Sequence, residues 1–260
     1  MERRPVIDFH ARLLSGKLPK LLSTMDSCGI GKAVACAGGM VTPDELSIFF
    51  AGHGHTDRDA DNEAVRVGCA ASDGRLIPFY FANPHRSADY YAAQAPHFRG
   101  MELEPVVHGI AFTDERTVSH LRVARQFHHP VFLAALPRDG CRVDDVTRLA
   151  QEFPDVTFVL GHGGVGVIDV HAVNLIAPHT NIIFETSGGY VCVLEAALAR
   201  LGASRVVFGS EYPMQHPRIE LIKYEVLGLD DDVWRQVSHD NALRILGEQV
   251  PQGVTLGHAS

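Results

Sequence analysis

Residues that can transfer protons or hold a fixed charge directly follow three short apolar runs in this 260-residue sequence. His10 and Arg12 follow the first run, His162 stands in a glycine-rich turn after a later run, and Glu211 follows the last one. An imidazole titrates near neutral pH, whereas a guanidinium stays charged. We therefore predict that these four residues form a catalytic site that moves protons on a charged substrate.

Three further residues are candidates for substrate binding. His85 follows the third apolar run, Glu185 ends the seventh, and His55 belongs to the segment His53-Gly54-His55. The alternate histidines of that segment have a spacing seen among metal ligands, although a solvated turn is the better explanation. If the segment folds over the site, His53 or His55 would supply ligands to a metal.

The elements that must position these residues form a repeating pattern. Eight short apolar runs alternate with longer amphipathic stretches, which is typical of parallel strands covered on both faces by helices. Eight such units in about 250 residues favour an α/β fold, a single (β/α)8 TIM barrel. Active sites of these barrels lie at the carboxyl ends of the strands, where the candidate residues stand. The predicted strands are Val6–Phe9, Ala33–Ala37, Leu76–Phe81, Val106–Phe112, Val131–Leu136, Val156–Leu160, Ile182–Glu185 and Val206–Phe208.

Two segments add to the barrel. Gly38–Arg58 is longer than an ordinary connection between a strand and a helix, and we interpret it as an insertion after strand 2 at the barrel mouth. Asp230–Gly247 is predicted to form a C-terminal helix. We expect one domain over residues 1–248, followed by a flexible polar tail over residues 249–260.

Composition excludes several classes of partner. The net charge is −8 without a basic stripe, which argues against nucleic acid. No apolar run reaches the roughly 18 residues of a membrane span, and the N-terminal run is too short for a signal peptide. Five cysteines without a Cys-x-x-Cys motif favour a reducing cytoplasm. We predict a cytoplasmic protein that binds a small anionic molecule and forms a homodimer through an apolar helix face.

The ordered set of strand-end motifs resembles the amidohydrolase superfamily. The resemblance is to the amidohydrolase-2 branch that contains aminocarboxymuconate-semialdehyde decarboxylase and related hydrolases and decarboxylases. It extends from IDFH at position 7 to DNALRILG at position 240, through GRLIPFYFANP, HHPVFLAAL and VVFGSEYP. The resemblance implies a barrel with metal ligands at the ends of the first, fifth and eighth strands.

This chain departs from the family pattern at most of those positions. The His-x-His pair of the first strand is His10-Ala11-Arg12, and Ala134 stands where the fifth strand carries a histidine. Glu211 replaces the aspartate of the eighth strand, and Ala111 stands where some members have a fourth-strand lysine. The sixth-strand histidine is retained as His162. The resemblance therefore implies a family barrel with an altered ligand set.

Arg12 argues against a bound metal. His10, His162 and Glu211 would provide three ligands, which is the minimum for a catalytic zinc ion. A guanidinium cannot bind a cation, and at about 5 Å in an effective dielectric near 20 it repels a divalent ion by roughly 6–7 kcal/mol. We therefore predict no cofactor, with zinc or another divalent metal as the alternative.

These observations lead to one functional hypothesis and two alternatives. We expect a hydrolase or decarboxylase-type lyase for a small carboxylated molecule. In it Arg12 acts as a fixed cation oriented by Glu211, and His10 and His162 transfer protons. One alternative is a catalytically inactive barrel that binds a ligand or partner. The other is a metal-dependent hydrolase whose site is rebuilt from His53 and His55.

Overall fold

The computed structural model describes residues 5–248, so the predicted tail over 249–260 lies outside the described residues. Helices alternate with strands, and every strand pair is parallel, which confirms the α/β prediction. The strands are β1 (Val6–Leu14), β2 (Ile30–Gly38), β3 (Leu76–Pro78), β4 (Tyr80–Phe81), β5 (Met101–Leu103), β6 (Val131–Leu133), β7 (Phe158–Leu160), β8 (Ile182–Glu185) and β9 (Val206–Val207).

Within residues 5–248, nine strand segments occupy eight positions around the core. They form two sheets, of order β1-β2-β3 and β4-β5-β6-β7-β8-β9, and the predicted third strand is interrupted at Phe79 between β3 and β4. The Phe79 backbone N–H donates to the Ala35 carbonyl at 2.9 Å and so connects the two sheets. At the other edge, Phe9 N–H donates to the Phe208 carbonyl at 2.9 Å. The first and last strand positions are therefore hydrogen-bonded neighbours, as in a (β/α)8 barrel.

The predicted fourth strand is wrong. Val106–Phe112 is apolar enough for a buried strand, but Pro105 begins a short helix over Pro105–His108 instead. The strand at this position is β5, Met101–Leu103, which pairs with β4 and β6. Ala111 therefore stands after the helix rather than on the strand, and the residues at the end of β5 are acidic.

The helices cover the outside of the strands and supply the rest of the core. Half of the helices among the described residues begin at a side-chain cap; Asp114, for example, accepts from the Arg116 N–H and starts α6 as predicted. The helices are α1 (Leu18–Ser27), α2 (Pro43–Phe50), α3 (Asn62–Ala70), α4 (Ala88–Gln94), α5 (Pro105–His108), α6 (Glu115–Gln126), α7 (Val143–Glu152), α8 (Val170–Ile176), α9 (Val191–Leu201), α10 (Pro217–Leu227), α11 (Asp231–Arg235) and α12 (Asn241–Ile245). Within residues 5–248, none of them is both long and apolar enough to cross a bilayer.

The two predicted additions to the barrel are present with more regular structure than expected. The insertion over Gly38–Arg58 contains α2, which begins at a capping box formed by Thr42 and Glu45. The predicted C-terminal helix is a continuous helical stretch in which a π-helical segment, Gln236–Asp240, joins α11 to α12. The Phe208 N–H at the end of β9 donates to the Val237 carbonyl at 3.1 Å, so this stretch supports the last strand.

Candidate active site

A buried aspartate on β1, Asp8, holds this strand to the segment after β9. Asp8 accepts hydrogen bonds from the Ser210 N–H at 2.9 Å, the Ser210 hydroxyl at 2.5 Å and the His10 N–H at 3.1 Å. Burial raises the pKa of Asp8 to about 7 against these bonds. Because Glu211 follows Ser210 directly, the same bonds place Glu211 beside His10, and the Glu211 N–H donates to the His10 carbonyl at 2.8 Å.

Two buried glutamates complete the site, and the sequence analysis missed both. Glu102 lies on β5 and Glu104 follows it, and both side chains are buried. Their alternation with Met101 and Leu103 is the period of two that places alternate residues on the same face of a strand. This alternation could have identified both glutamates. The sequence analysis did not use it, because it placed the fourth strand at Val106–Phe112.

Arg12 pairs with these two glutamates rather than with Glu211. Its Nη2 donates to Glu102 Oε1 at 2.8 Å and to Glu104 Oε1 at 3.0 Å, while Nη1 donates to the Ala37 carbonyl at 3.4 Å. The expected ion pair that would let Glu211 orient Arg12 is therefore not formed. Burial disfavours the charged guanidinium, but the Glu102 and Glu104 carboxylates outweigh burial and raise its pKa.

His10 lies deep in the barrel beside this ion pair. Its ring is 2% exposed and stacks on Phe132 with the ring centroids 4.1 Å apart. His10 Nε2 lies 3.3 Å from Glu102 Oε1, whereas Nδ1 is buried without a hydrogen-bond partner among residues 5–248. Because Glu102 is held as an anion by Arg12, the geometry favours a proton on Nε2 and a bare Nδ1.

His162 is held in a strained turn by Glu185. It adopts a positive φ of 58°, which is uncommon for a residue other than glycine and which clusters at functional sites. Glu185 Oε2 accepts from the His162 backbone N–H at 2.9 Å and from the Ser187 hydroxyl at 2.8 Å. Gly161 precedes this turn, and a side chain there would meet the Phe132 ring at 2.2 Å. Glu185 is fully buried, so the structure places it beneath His162 rather than at an open surface.

The side chain of His162 lies among three oxygen atoms. Nδ1 is 3.1 Å from Ser187 Oγ and 3.4 Å from Glu211 Oε2, and Nε2 is 3.9 Å from Glu104 Oε1. The Ser187 hydroxyl gives its proton to Glu185, so it accepts from Nδ1–H. Glu211 also adopts a positive φ, of 57°. Two of the four non-glycine residues with a positive φ among the described residues therefore form a contacting acid–base pair.

The charges of this cluster follow from its ion pairs. Burial lowers the pKa of His162, but Glu211 and Glu104 outweigh burial and hold it well above its ordinary range. Burial likewise raises the pKa of Glu211, but protonated His162 lowers it to about 2. Arg12 and His10 overcome burial to hold the pKa of Glu102 well below its ordinary value. Burial and the charge of Glu102 raise the pKa of Glu104 against the effects of His162 and Arg12.

The remaining candidates form a separate group of histidines around α5. The rings of His55 and His85 stack with centroids 5.7 Å apart, and His85 Nε2–H donates to the His108 carbonyl at 2.8 Å. His108 Nδ1–H donates to the Thr56 carbonyl at 2.9 Å and so attaches the insertion to the barrel. Burial lowers the pKa of His108 to about 4. The structure thus brings His55 and His85 to each other rather than to His10 and His162.

Three donors in the first group have the spacing of metal ligands. One atom each from His10, Glu104 and His162 lies within 4.8 Å of the others. Glu104 thus takes the place that Glu211 had in the predicted set, and neither His53 nor His55 belongs to any such group among the described residues.

The charge of Arg12 does not fit an ion at that position. Arg12 Nη2 already contacts the Glu104 oxygen at 3.0 Å. A divalent ion on that oxygen would lie at most about 5 Å from the guanidinium, given ligand distances of about 2 Å. The resulting repulsion is roughly 6–7 kcal/mol. A site built only of neutral histidines and carboxylates does not have this repulsion.

Comparison with known proteins relates most of the chain to one family. Residues 7–247 match the sequence pattern of the amidohydrolase family. The curated proteins contain no match to the chain.

Solved structures with the same fold include hydrolases and decarboxylases. A Pseudomonas putida protein assigned as a 2-pyrone-4,6-dicarboxylic acid hydrolase superposes with a TM-score of 0.71 at 17% identity, over 95% of this chain and 98% of that one. A 2,6-dihydroxybenzoate decarboxylase from Rhizobium gives 0.67 at 14% identity, over 95% and 99%. The 5-carboxyvanillate decarboxylase from Novosphingobium aromaticivorans, complexed with manganese, gives 0.67 at 11% identity, over 94% and 96%.

These likenesses show the fold, and the family pattern shows the relationship. Because that pattern spans nearly all of the described residues, from β1 to the C-terminal helical stretch, this chain belongs to the amidohydrolase family.

Proposed function

We propose that this protein is a hydrolase or decarboxylase-type lyase that acts on a small carboxylated molecule without the family metal. One observation carries the proposal: the His162 ring lies between the side chains of Glu104 and Glu211, and Glu104 also contacts the Arg12 guanidinium. These two glutamates hold the pKa of His162 well above its ordinary range. The solved structures of the same fold include enzymes named for carboxylated aromatic and pyrone substrates, which supports the same class of substrate here.

His162 is the proton donor of the proposed reaction. Glu211 and Glu104 keep its imidazole charged, and Ser187 accepts from Nδ1–H, so Nε2–H is the proton directed toward Glu104. A group whose proton is held in place before the substrate arrives contributes typically 10²–10⁴-fold to a rate. His10 is the second group able to transfer a proton: its unprotonated Nδ1 atom can accept one.

Arg12 supplies the fixed positive charge. Its side chain is 15% exposed, and its Nη atoms are already used by Glu102, Glu104 and Ala37. The guanidinium stays charged at every pH of interest and polarises the site without a proton exchange. We assign Glu102 and Glu104 to holding this cation in place, a role that the sequence-based hypothesis gave to Glu211.

In a decarboxylation, a proton from His162 replaces the carboxylate on the substrate carbon. The carbon that bears the carboxylate accepts a proton from His162 Nε2, and the bond to the carboxylate carbon then breaks. Its electron pair remains with the substrate carbon, and carbon dioxide leaves. His162 becomes neutral and regains a proton from solvent. For a hydrolysis, the same His162 proton goes to the leaving oxygen or nitrogen, while His10 accepts a proton from water.

A metal-dependent hydrolase or decarboxylase is the second candidate, and the spacing of His10, Glu104 and His162 favours it. It requires Arg12 to leave its present contact with Glu104. No step of the proposed reaction depends on an ion.

The test uses three probes: 2,6-dihydroxybenzoate, 5-carboxyvanillate and 2-pyrone-4,6-dicarboxylate. Protein purified without added metal, with its metal content measured, is assayed for their consumption before and after dialysis against a chelator. We expect turnover that survives chelation and that falls about 100-fold or more in His162→Asn. His171→Asn, on the exposed surface of α8, is the matched control and should retain the wild-type rate.

Two results would contradict the proposal. Activity that disappears with the chelator and returns with manganese would favour the metal-dependent candidate. Binding of the probes, seen as a thermal shift without turnover of any of them, would favour the inactive barrel.

The compartment and the oligomeric state stay predictions. The five cysteines are free, which supports a reducing cytoplasm. Ile219, Ile222 and Val226 form an exposed apolar stripe on α10 and are the side chains we would expect in a homodimer contact. Light scattering of the wild type and of an Ile222→Glu variant would test the latter.

A further inference from the structure

A cavity of about 430 Å³ adjoins Arg12 on the side of the loop between β1 and α1. Its volume lies within the range of ligand pockets for small molecules. The lining residues are Arg12, Leu14, Lys17, Lys20, Leu21 and Tyr212. The cavity therefore combines cations with an apolar wall, and it contains no carboxylate among its lining residues.

The two lysines of this cavity are unusual for this chain. The sequence contains only four lysines, Lys17, Lys20, Lys32 and Lys223, in a protein with a net charge of −8. The other two pair with glutamates: Lys32 with Glu248 at 3.9 Å and Lys223 with Glu220 at 2.5 Å. Among the described residues, neither Lys17 nor Lys20 has a carboxylate within ion-pair distance.

Arg12, the cation at the inner side of the cavity, is already paired with carboxylates. Arg12 pairs with Glu102 and Glu104, so its charge is largely offset before a ligand arrives. His162 is likewise offset by Glu211. The inner cluster of Arg12, His162 and their three glutamates therefore has no excess positive charge. Among the residues that line the cavity, the cations whose charge is still available to an anion are Lys17 and Lys20.

Lys17 and Lys20 share one side of the start of α1. Lys17 immediately precedes the helix, and the Lys20 N–H donates to the Lys17 carbonyl at 3.0 Å. Residues three apart are neighbours on a helix surface. The apolar wall of Leu14, Leu21 and Tyr212 lies in the same cavity.

We infer that Lys17 and Lys20 form a subsite for a second anionic group of the substrate, so that the substrate is a small dianion with an apolar body. One acidic group is directed toward Arg12, and the other contacts the two lysines. The inference rests on the proposed function for the identity of the inner group. It goes beyond that function by naming the residues that select a dianion over a monoanion.

The experiment compares two aromatic acids that differ by one carboxylate, benzoate and benzene-1,3-dicarboxylate. Their dissociation constants are measured by titration calorimetry for the wild type, a Lys17→Gln/Lys20→Gln double variant and a Lys32→Gln control. We expect the wild type to prefer the diacid by about tenfold or more. The double variant should lose that preference, and the control should keep it.

Several outcomes would overturn the inference. One is equal affinity of the wild type for the two acids, and another is a preference that survives in the double variant. Absence of diacid binding at about 10 mM would do the same. Because this measurement needs no turnover, an inactive enzyme with an intact preference would contradict only the proposed function. A turning-over enzyme whose KM for 2-pyrone-4,6-dicarboxylate is unchanged in the double variant would contradict only this inference.

Discussion

Two groups of histidines lie at the same end of the barrel, and their surroundings differ. In the first group, His10 and His162 contact the carboxylates of Glu102, Glu104 and Glu211. In the second, His85 and His108 donate to backbone carbonyls instead. The pKa of His162 is held well above its ordinary range, whereas burial lowers that of His108 to about 4.

The difference shows what decides the charge of a buried histidine. A carbonyl oxygen fixes the tautomer and the orientation of the ring but does not outweigh the cost of burying its charge. The carboxylates of Glu211 and Glu104 do outweigh it at His162. The first group therefore has the properties of a proton donor, and the second has the properties of a structural joint between the insertion and α5.

The largest expected effect comes from removing the cation of the first group. Arg12→Met leaves Glu102 and Glu104 buried without their partner, and breaking a buried pair costs about 3–5 kcal/mol of the free energy of unfolding. Urea denaturation of the variant and the wild type measures this cost. Arg86→Met removes an exposed pair with Asp59 and should cost less than about 1 kcal/mol. A loss no larger in Arg12→Met than in Arg86→Met would mean that Arg12 does not hold the glutamates.

The second prediction is that the two groups respond oppositely to pH. His108 has its pKa lowered from 6.5 to about 4, so the unfolded chain binds more protons than the folded one as pH falls below 6.5. Its contribution to stability is therefore lost on acidification, by about 2 kcal/mol at pH 5. His162 has a raised pKa. Its contribution is fully present below pH 6.5 and is lost as pH rises through the folded pKa.

Single variants separate these contributions from those of other buried groups. Asparagine keeps a donor near the position of Nδ1, so His108→Asn preserves the bond to Thr56 while removing the titration. Unfolding free energies at pH 5 and pH 8 should show the wild-type advantage over His108→Asn shrinking toward pH 5. The advantage over His162→Asn should instead be larger at pH 5. Parallel changes in the two variants would mean that the carboxylates do not distinguish the two groups.

Much of the fold could be predicted because its signal is local. The apolar run at Ile182–Glu185 is a strand with those bounds, and Asp114 starts α6 as its position before Glu115 indicates. The fourth strand failed because its position is set by pairing with β4 and β6 rather than by its own composition. Val106 and Val107 looked more strand-like than Met101–Leu103, in which the acidic Glu102 is buried in an ion pair with Arg12.

The same limit applies to the candidate site. His10, Arg12, His162 and Glu211 could be named because each stands just after a predicted apolar run, and the structure brings all four together. Their partners could not be assigned, because pairing depends on which strand end faces which across the barrel. Arg12 contacts two glutamates, one on β5 and one directly after it, that no sequence motif indicated. His55 contacts His85 rather than the inner cluster.

The smallest expected effect tests how His162 is aimed within the first group. Ser187 Oγ accepts from His162 Nδ1–H and donates to Glu185 Oε2, so Ser187→Ala removes one bond from the ring and one from Glu185. We expect a loss of about 1 kcal/mol in stability and a several-fold lower kcat, because Glu211 alone then orients the ring. The matched control is Ser47→Ala on the exposed surface of α2. A purely structural role would lower stability and leave the ¹⁵N chemical shifts of His162 unchanged. Positioning by Ser187 predicts that the Nδ1 signal moves, since that nitrogen keeps its proton but changes its acceptor.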